Sequence, residues 1–422
     1  MRRDTNLYWW GQTTSAFGSF FSAVALPIIA VVHLDATAGE IGMISAAAVL
    51  PVLLLGLPFG ALADRIARPR RVLTALDVLS GLSVAVVALG LAHEVVGVAW
   101  LIALSIVRGG LSTLAGSLYF VHLRQLVGAE GVGPARARLQ AGQYGASLVG
   151  RSLAGPAVAV FGGATALAID AVSYALSAAA LLAMRAPDRA AARPRTAVGG
   201  LRGAAVGMRF FFDHTFHRAL LAFVLSSAVA LAGITALTGP FLLRDLQLPT
   251  SAYGLVFALS GAMGLAGSAL AARVVGPGRN PHRVTTLAFG AAGCCTLLLP
   301  LATGPRALAA VVAALGIGLP VFFGAIANVA LTSVLAVDVP EEAMGRAMAA
   351  LQVLNAGAGV LGALLGGFLG DAAGVRAALW TLAAVKLGAV LLAGPPALRA
   401  ARRIRDADRP EPEPEGVEIR TV

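Results

Sequence analysis

Apolar residues run along this chain in blocks of about twenty, separated by short stretches in which arginine predominates. A helix needs about 20 residues to cross a ~30 Å hydrocarbon core. Lipid offers the backbone no hydrogen-bond partner, so each block must satisfy itself as a helix. The pattern predicts an all-α membrane protein of twelve transmembrane helices. They fall near 7–32, 40–62, 72–92, 96–122, 139–161, 165–184, 217–243, 252–275, 284–302, 306–334, 345–370 and 376–398. The first run, Leu7 to Val32, is too long for a signal peptide and lacks a small-residue cleavage site, so it reads as a span.

Composition agrees. Of 422 residues 58% are hydrophobic and only 13% charged, too little charge to coat a globule of this size in water, where about 25% is usual. Fifty glycines suit helices that pack closely in lipid. The net charge of +11 would suggest nucleic acid in a soluble protein. In a membrane protein it reads instead as arginine facing the cytoplasm. Cys294 and Cys295 are adjacent within one span, which suggests neither a disulfide framework nor a metal site.

The arginines test the span assignment. The even-numbered connections and the two ends hold 26 basic residues, against Arg244, Arg306 and Arg376 in the odd-numbered ones. Such a bias places both termini in the cytoplasm of a multi-pass protein of the plasma membrane.

Two pieces of sequence recur about half a chain apart. "ALADR" from Ala61 returns as "ALAAR" from Ala269, and "LQAGQYGASLVG" from Leu139 returns as "LQVLNAGAGVLG" from Leu351. Duplication of six spans in parallel is a secondary-transporter architecture, with a site between the halves. The expected domains are a six-helix bundle over 1–184, a linker over 185–216, a second bundle over 217–398 and a tail over 399–422. The linker is basic and ends in an amphipathic piece suited to the inner leaflet. The tail, charged and proline-rich, is expected to be disordered.

"GALADRIARPRR" raises a sharper point. Arg68, Arg70 and Arg71 serve as inner-face anchors, but a carboxylate gains nothing in a positive-inside loop, so Asp64 needs a partner. This stretch resembles the loop between helices two and three of the major facilitator superfamily, roughly G-x-L-a-D-R-x-G-R-R. Gly60, Asp64, Arg65, Arg70 and Arg71 match, while Ala67 or Arg68 stands where the second glycine is usual. "RGGLSTLAG", with Arg108 and Gly109, resembles the family's helix-four arginine motif. "GRSLAGPAVAVFGG", with Gly150, Gly155 and Pro156, resembles the helix-five motif of its exporters. "LYWWGQTTSAFGSFFSAVALP" and "AIDAVSYALSAAALL" are similar to the bacterial branch of macrolide and siderophore exporters. The resemblance implies that Asp64 gates by docking on the N-terminus of helix eleven, whose amides favour an anion. It also implies proton antiport, no cofactor and a small-molecule substrate.

Ionisable residues inside spans are functional candidates by default. Here they are Asp77, Arg108, Arg151, Asp170 and Lys386, the only lysine in the chain. Arg151 and Asp170 differ in depth by ~7 Å at helical rise, within an arginine's reach, so they are expected to pair and leave Arg108 free in the cavity. Lys386 is expected to snorkel, or to sit as a neutral amine among polar groups. Tyr8, Trp9 and Trp10 read as an interfacial belt. Asp77, Asp170 and Glu40 could each carry a coupling proton; Ser19 stands where many relatives have an acid.

Three functional classes compete. Export of a small lipophilic compound fits the helix-five motif and the Gly/Ala/Ser-rich helices. Import of a sugar or organic acid would want more polar cavity residues than Gln12 and Asn328. An enzyme lacks a catalytic cluster, since no span pairs a nucleophile with a base. No glycine-rich phosphate loop exists for an ATP-driven pump. The expected partners are the lipid bilayer, one substrate and H+, with the protein a monomer.

Overall fold

Glycine or proline stands at most of the breaks between the helices. The computed structural model describes residues 2–63, 65–188, 212, 215–275, 280–339 and 341–407. Asp64, most of the linker (189–211) and the tail beyond Ala407 lie outside the described residues, and so do the expectations placed on them. The helices are α1 (Arg2–Ile28), α2 (Ala38–Ala63), α3 (Pro69–Ala92) and α4 (Val98–Gly128). The stretch Glu130–Leu182 follows, divided at Gly162 into α5 (130–161) and α6 (163–182). Then come α7 (Thr215–Pro240), α8 (Thr250–Val274), α9 (Pro281–Thr296), α10 (Arg306–Asp338), α11 (Glu341–Ala373) and α12 (Val375–Ala407).

Gly128 and Gly162 adopt φ of 73° and 80° with ψ near 170° (172° and 168°), which reverses the chain without a loop. A side chain would be strained there, so these two sites require glycine. Ten helices among the described residues are long and apolar enough to cross a membrane. That tally differs from twelve for two reasons. The 53-residue stretch from Glu130 to Leu182 holds two of the expected spans, and α9 is only 16 residues long before it loosens into turns. The last helix also continues past the expected boundary at 398, to Ala407.

The duplication is visible in the backbone. A five-residue π-turn closes α1 at Ile29–His33, and its counterpart closes α7 at Phe241–Asp245, 212 positions on. In each, the same pair of amides is bound: Leu34 and Ala36 to the carbonyls of Ile29 and Ala30, Leu246 and Leu248 to those of Phe241 and Leu242. Pro69 and Pro281 open α3 and α9, and Gly162 and Gly374 turn the chain before α6 and α12, at the same spacing.

The core divides unevenly. On the face where α1 ends, one cluster joins residues of both halves, among them Ile28, Val84, Leu167, Leu237 and Leu379. On the face with the chain ends, each half keeps its own: Tyr8, Leu73 and Leu118 in the first, Phe216, Phe289 and Leu335 in the second. The halves are thus joined at the far face and separate at the termini face.

Each half is knotted at its termini face by a residue at the same repeat position. Arg70 donates to the carbonyls of Met184 and Ala186, both at 2.8 Å, where α6 ends with free carbonyls and a negative dipole end. Its counterpart His282, 212 positions on, meets Asp338 of α10 at 3.0 Å, and His217 of α7 reaches the same oxygen at 2.9 Å. Burial opposes ionisation of Asp338, but the hydrogen bonds from His217 and His282 hold its carboxyl well below the usual carboxylate range. A depressed carboxylate adds stability above its unfolded pKa of about 3.9 and loses it only as pH falls through the lower folded value. Asp338→Asn should therefore cost about 2 kcal/mol, the worth of a hydrogen bond to a charged group. The drop in melting temperature should not shrink between pH 8 and pH 5.

Candidate functional site

The first half contains a polar pocket in an otherwise apolar bundle. Serines at 15, 19 and 22 follow the helical repeat along one stripe of α1, and α3, α4 and α6 bring carboxylates, an arginine and tyrosines to meet it. A cavity of about 140 Å³ opens there, lined by Gln12 and Ser19 of α1, Asp77 and Ser80 of α3, Tyr119 of α4 and Tyr174 of α6.

Two carboxylates flank this cavity in different states of compensation. Asp170 is fully buried and pairs with Arg108, its Oδ2 lying 3.1 Å from the guanidinium. Ser22 donates to the same oxygen at 2.5 Å, and Arg108 also donates to the Tyr174 hydroxyl at 3.2 Å. Tyr174 in turn shares a hydrogen bond with Ser19 at 3.0 Å. Asp77, 2% exposed, receives Ser177 Oγ at 2.7 Å and a hydrogen bond from Tyr119. No cation forms an ion pair with Asp77 among the described residues.

The expected Arg151–Asp170 pair is therefore corrected: Arg108 on α4 takes Asp170, and it is not free. Arg151 lies over the Phe20 ring, 5.2 Å from its centroid, with its Nε buried and unpartnered. Lys386 does not snorkel. It is 7% exposed, held against α9 near the Cys295 thiol. Tyr8 does not join an interfacial belt either, since it is buried and donates to the Tyr119 carbonyl at 3.1 Å. Gln12 lies in the cavity wall, whereas Asn328 is exposed on α10 away from it.

The motif residues serve close packing. A Cβ at Gly109 would meet the Ala48 carbonyl at 2.6 Å, and one at Gly150 would meet that of Phe17 at 2.8 Å, so these glycines let α4 approach α2 and α5 approach α1. Gly155 lies against Thr250 and Gly254 of α8, across the seam between the halves, and Pro156 beside it is exposed. Gly60 and Arg65 meet no such neighbour: a Cβ at Gly60 would enter open space, and Arg65 is exposed. Arg71 is exposed too, and its backbone N–H, like that of Arg70, is bound by Asp188 at 3.2 Å.

Glu40 is a capping residue. It accepts from the Thr37 N–H at 2.9 Å while Thr37 Oγ1 accepts from its own N–H at 3.2 Å, a reciprocal box at the start of α2. Beside it Asp371 of α11 accepts from the Gly39 N–H at 3.0 Å and from Thr37 Oγ1 at 3.1 Å, crossing between halves at a helix N-terminus. Arg244 crosses the other way: it donates to the carbonyls of Val31 in the π-turn after α1 at 2.9 Å and of Ala36 just beyond it at 2.8 Å, and pairs with Asp35 at 2.7 Å. These two contacts latch the far face. Removing both, as Arg244→Ala with Asp371→Asn, should favour an open far face by about 1 kcal/mol, roughly a fivefold shift in population. Spin labels at Val95 and Leu301, with Cys294 and Cys295 replaced by alanine, would report it as a longer distance.

Tyr119, Tyr174, Ser22 and Ser177 escaped the sequence reading. The repeat could have found part of the site, because at the matching positions 212 on, Asp77, Asp170, Ser19 and Ser22 become Phe289, Leu382, Leu231 and Ile234. The polar cluster is thus confined to the first copy of the repeat.

Comparison with known proteins fits this architecture. The chain is 28% identical over 385 residues to the multidrug efflux pump Tap of Mycobacterium tuberculosis, covering 87% of each protein. It is likewise 28% identical over 391 residues to Tap of Mycolicibacterium fortuitum, covering 90% of this chain and 91% of that one. Among solved structures it resembles the nucleoside transporter NupG (TM-score 0.71, 14% identity, 94% and 99% covered). It also resembles a bacterial homologue of the iron transporter ferroportin in an inward-facing state (TM-score 0.70, 15% identity, 95% and 99% covered). The model of the Major Facilitator Superfamily matches residues 8–363, and on this match and this fold the chain belongs to that superfamily of membrane transporters.

Proposed function

We propose that this protein exports small lipophilic compounds by alternating access, exchanging them for protons, with twelve spans and both termini in the cytoplasm. The observation that carries the reading is Asp77, a carboxylate without a cation beside a polar cavity, whereas the buried Asp170 is paired with Arg108 and the buried Asp4 with backbone N–H groups. Protonating Asp77 removes an unbalanced charge from the membrane interior, whereas protonating Asp170 would strand Arg108. Glu40 is occupied in its cap. Asp77 is thus the carboxylate that takes the proton. The relatives named as multidrug efflux pumps support the outward direction. The seam closed at the far face suits a protein open to the cytoplasm, ready to load.

The test is accumulation in a susceptible host stripped of its own pumps, over a panel of antibiotics and siderophores. The protein should lower accumulation of one or more compounds, and dissipating the proton gradient should restore it. Raised accumulation would identify an importer instead.

A further inference from the structure

Behind the polar stripe of α1, on the side away from Asp77, the helix is bare. Trp9, Trp10, Thr13 and Phe17 of α1 form one wall of a groove of about 570 Å³, and Gly145 and Val149 of α5 form the other. A second hollow of about 330 Å³ shares Thr14 and Phe17 and continues against Ile169 and Val172 of α6. Trp10 is 60% exposed, so a broad aromatic face has no protein cover. From Trp9 to Phe17 the groove follows α1 for ~12 Å at helical rise, close to the depth of one leaflet.

The mouth of the groove carries a fixed cation. The Arg138 guanidinium lies over the Trp9 ring, 4.8 Å from its centroid, and its Nη1 donates to Asn6 Oδ1 at 2.8 Å. Trp9 Nε1 donates back to the Arg138 carbonyl at 3.0 Å, so ring and arginine hold each other in place. Among the described residues Arg138 is the only charged one lining this groove, and it forms no ion pair. The acid of α1 near this end, Asp4, is engaged with the N–H groups of Arg185 and Ala186. Tryptophan and arginine together mark headgroup depth.

We propose that this groove is a binding site for an anionic phospholipid, with the phosphate on Arg138 and one acyl chain along α1. An apolar trough of leaflet depth fits the chain, and an uncompensated cation at its mouth fits a lipid with net negative charge. A zwitterionic lipid neutralises its own phosphate and loses that preference. The bound lipid supports the back of the helix whose front lines the polar cavity.

Brominated lipids test this by quenching tryptophan. The chain has four tryptophans, and replacing the exposed Trp100 and Trp380 by phenylalanine leaves Trp9 and Trp10 as the reporters. The protein would be reconstituted in zwitterionic vesicles doped with a minor fraction of brominated phosphatidylglycerol or brominated phosphatidylcholine. Quenching should show about a fivefold preference for the anionic lipid, as one arginine at headgroup level gives. Arg138→Gln should abolish the preference and Arg138→Lys should keep most of it. A Cβ at Gly145 meets nothing within 4 Å, so Gly145→Leu can fill the groove and should lower quenching by the anionic lipid with the arginine intact. Equal quenching by both lipids in the parent would mean an ordinary lipid annulus or a groove meant for substrate. That result, or a preference that survives Arg138→Gln, overturns the proposal.

Discussion

Arg108→Met should destabilise the folded protein by about 3–5 kcal/mol, the cost of breaking a buried ion pair from one side. Asp170 is fully enclosed, and without Arg108 it keeps only the hydroxyls of Ser22 and Ser173. The double variant Arg108→Met with Asp170→Leu leaves no stranded charge and should recover most of the loss. Arg151→Met strands no anion, so its effect should be much smaller. Thermal unfolding of the purified variants measures all three. An Arg108→Met protein as stable as the parent, or a double variant no better than the single one, would show that the pair does not hold α4 to α6.

Asp77→Asn should reduce uphill transport to the passive level while sparing the fold. Asparagine keeps the shape of the side chain, and its oxygen can still accept from Ser177 and Tyr119. It cannot exchange a proton. Exchange of labelled for unlabelled substrate across the membrane needs no net proton movement, and should continue near the parent rate. Concentrative transport driven by an imposed pH gradient should cease. Should Asp77→Asn vesicles still concentrate substrate, the proton travels by another group.

The position of each helix along the chain was legible in the sequence, and direction around it was not. Twenty-residue apolar blocks located most of the long helices because spanning a bilayer sets a minimum length. The three basic residues that departed from the arginine rule have structural work: Arg244 binds the Ala36 carbonyl, Arg306 binds Gln247, and Arg376 binds the Pro300 carbonyl. Which of two arginines meets Asp170 depends on rotation about α4 and α5, and helices apolar all round give no stripe from which to read it. Gly155 was legible as part of a motif, but its role against α8 depends on which helices meet across the halves. Gly128 and Gly162 escaped notice as reversals, since one left-handed residue replaces the polar loop that usually announces a turn.

The paired glycines of the far face bear on speed as well as on fit. Where Gly155 meets Gly254 and Gly42 meets Gly367, backbone touches backbone with no rotamers between them. A seam lined by long side chains would freeze each one on closing, at up to ~2 kcal/mol of entropy apiece. The glycine contacts freeze none, although the apolar cluster beside them buries side chains of both halves, Ile28, Leu237 and Leu379 among them. Parting the glycine contacts themselves requires no disentangling of interlocked side chains. Under the alternating access proposed above the halves would part and rejoin in every cycle, and these smooth contacts would add little internal friction to that motion.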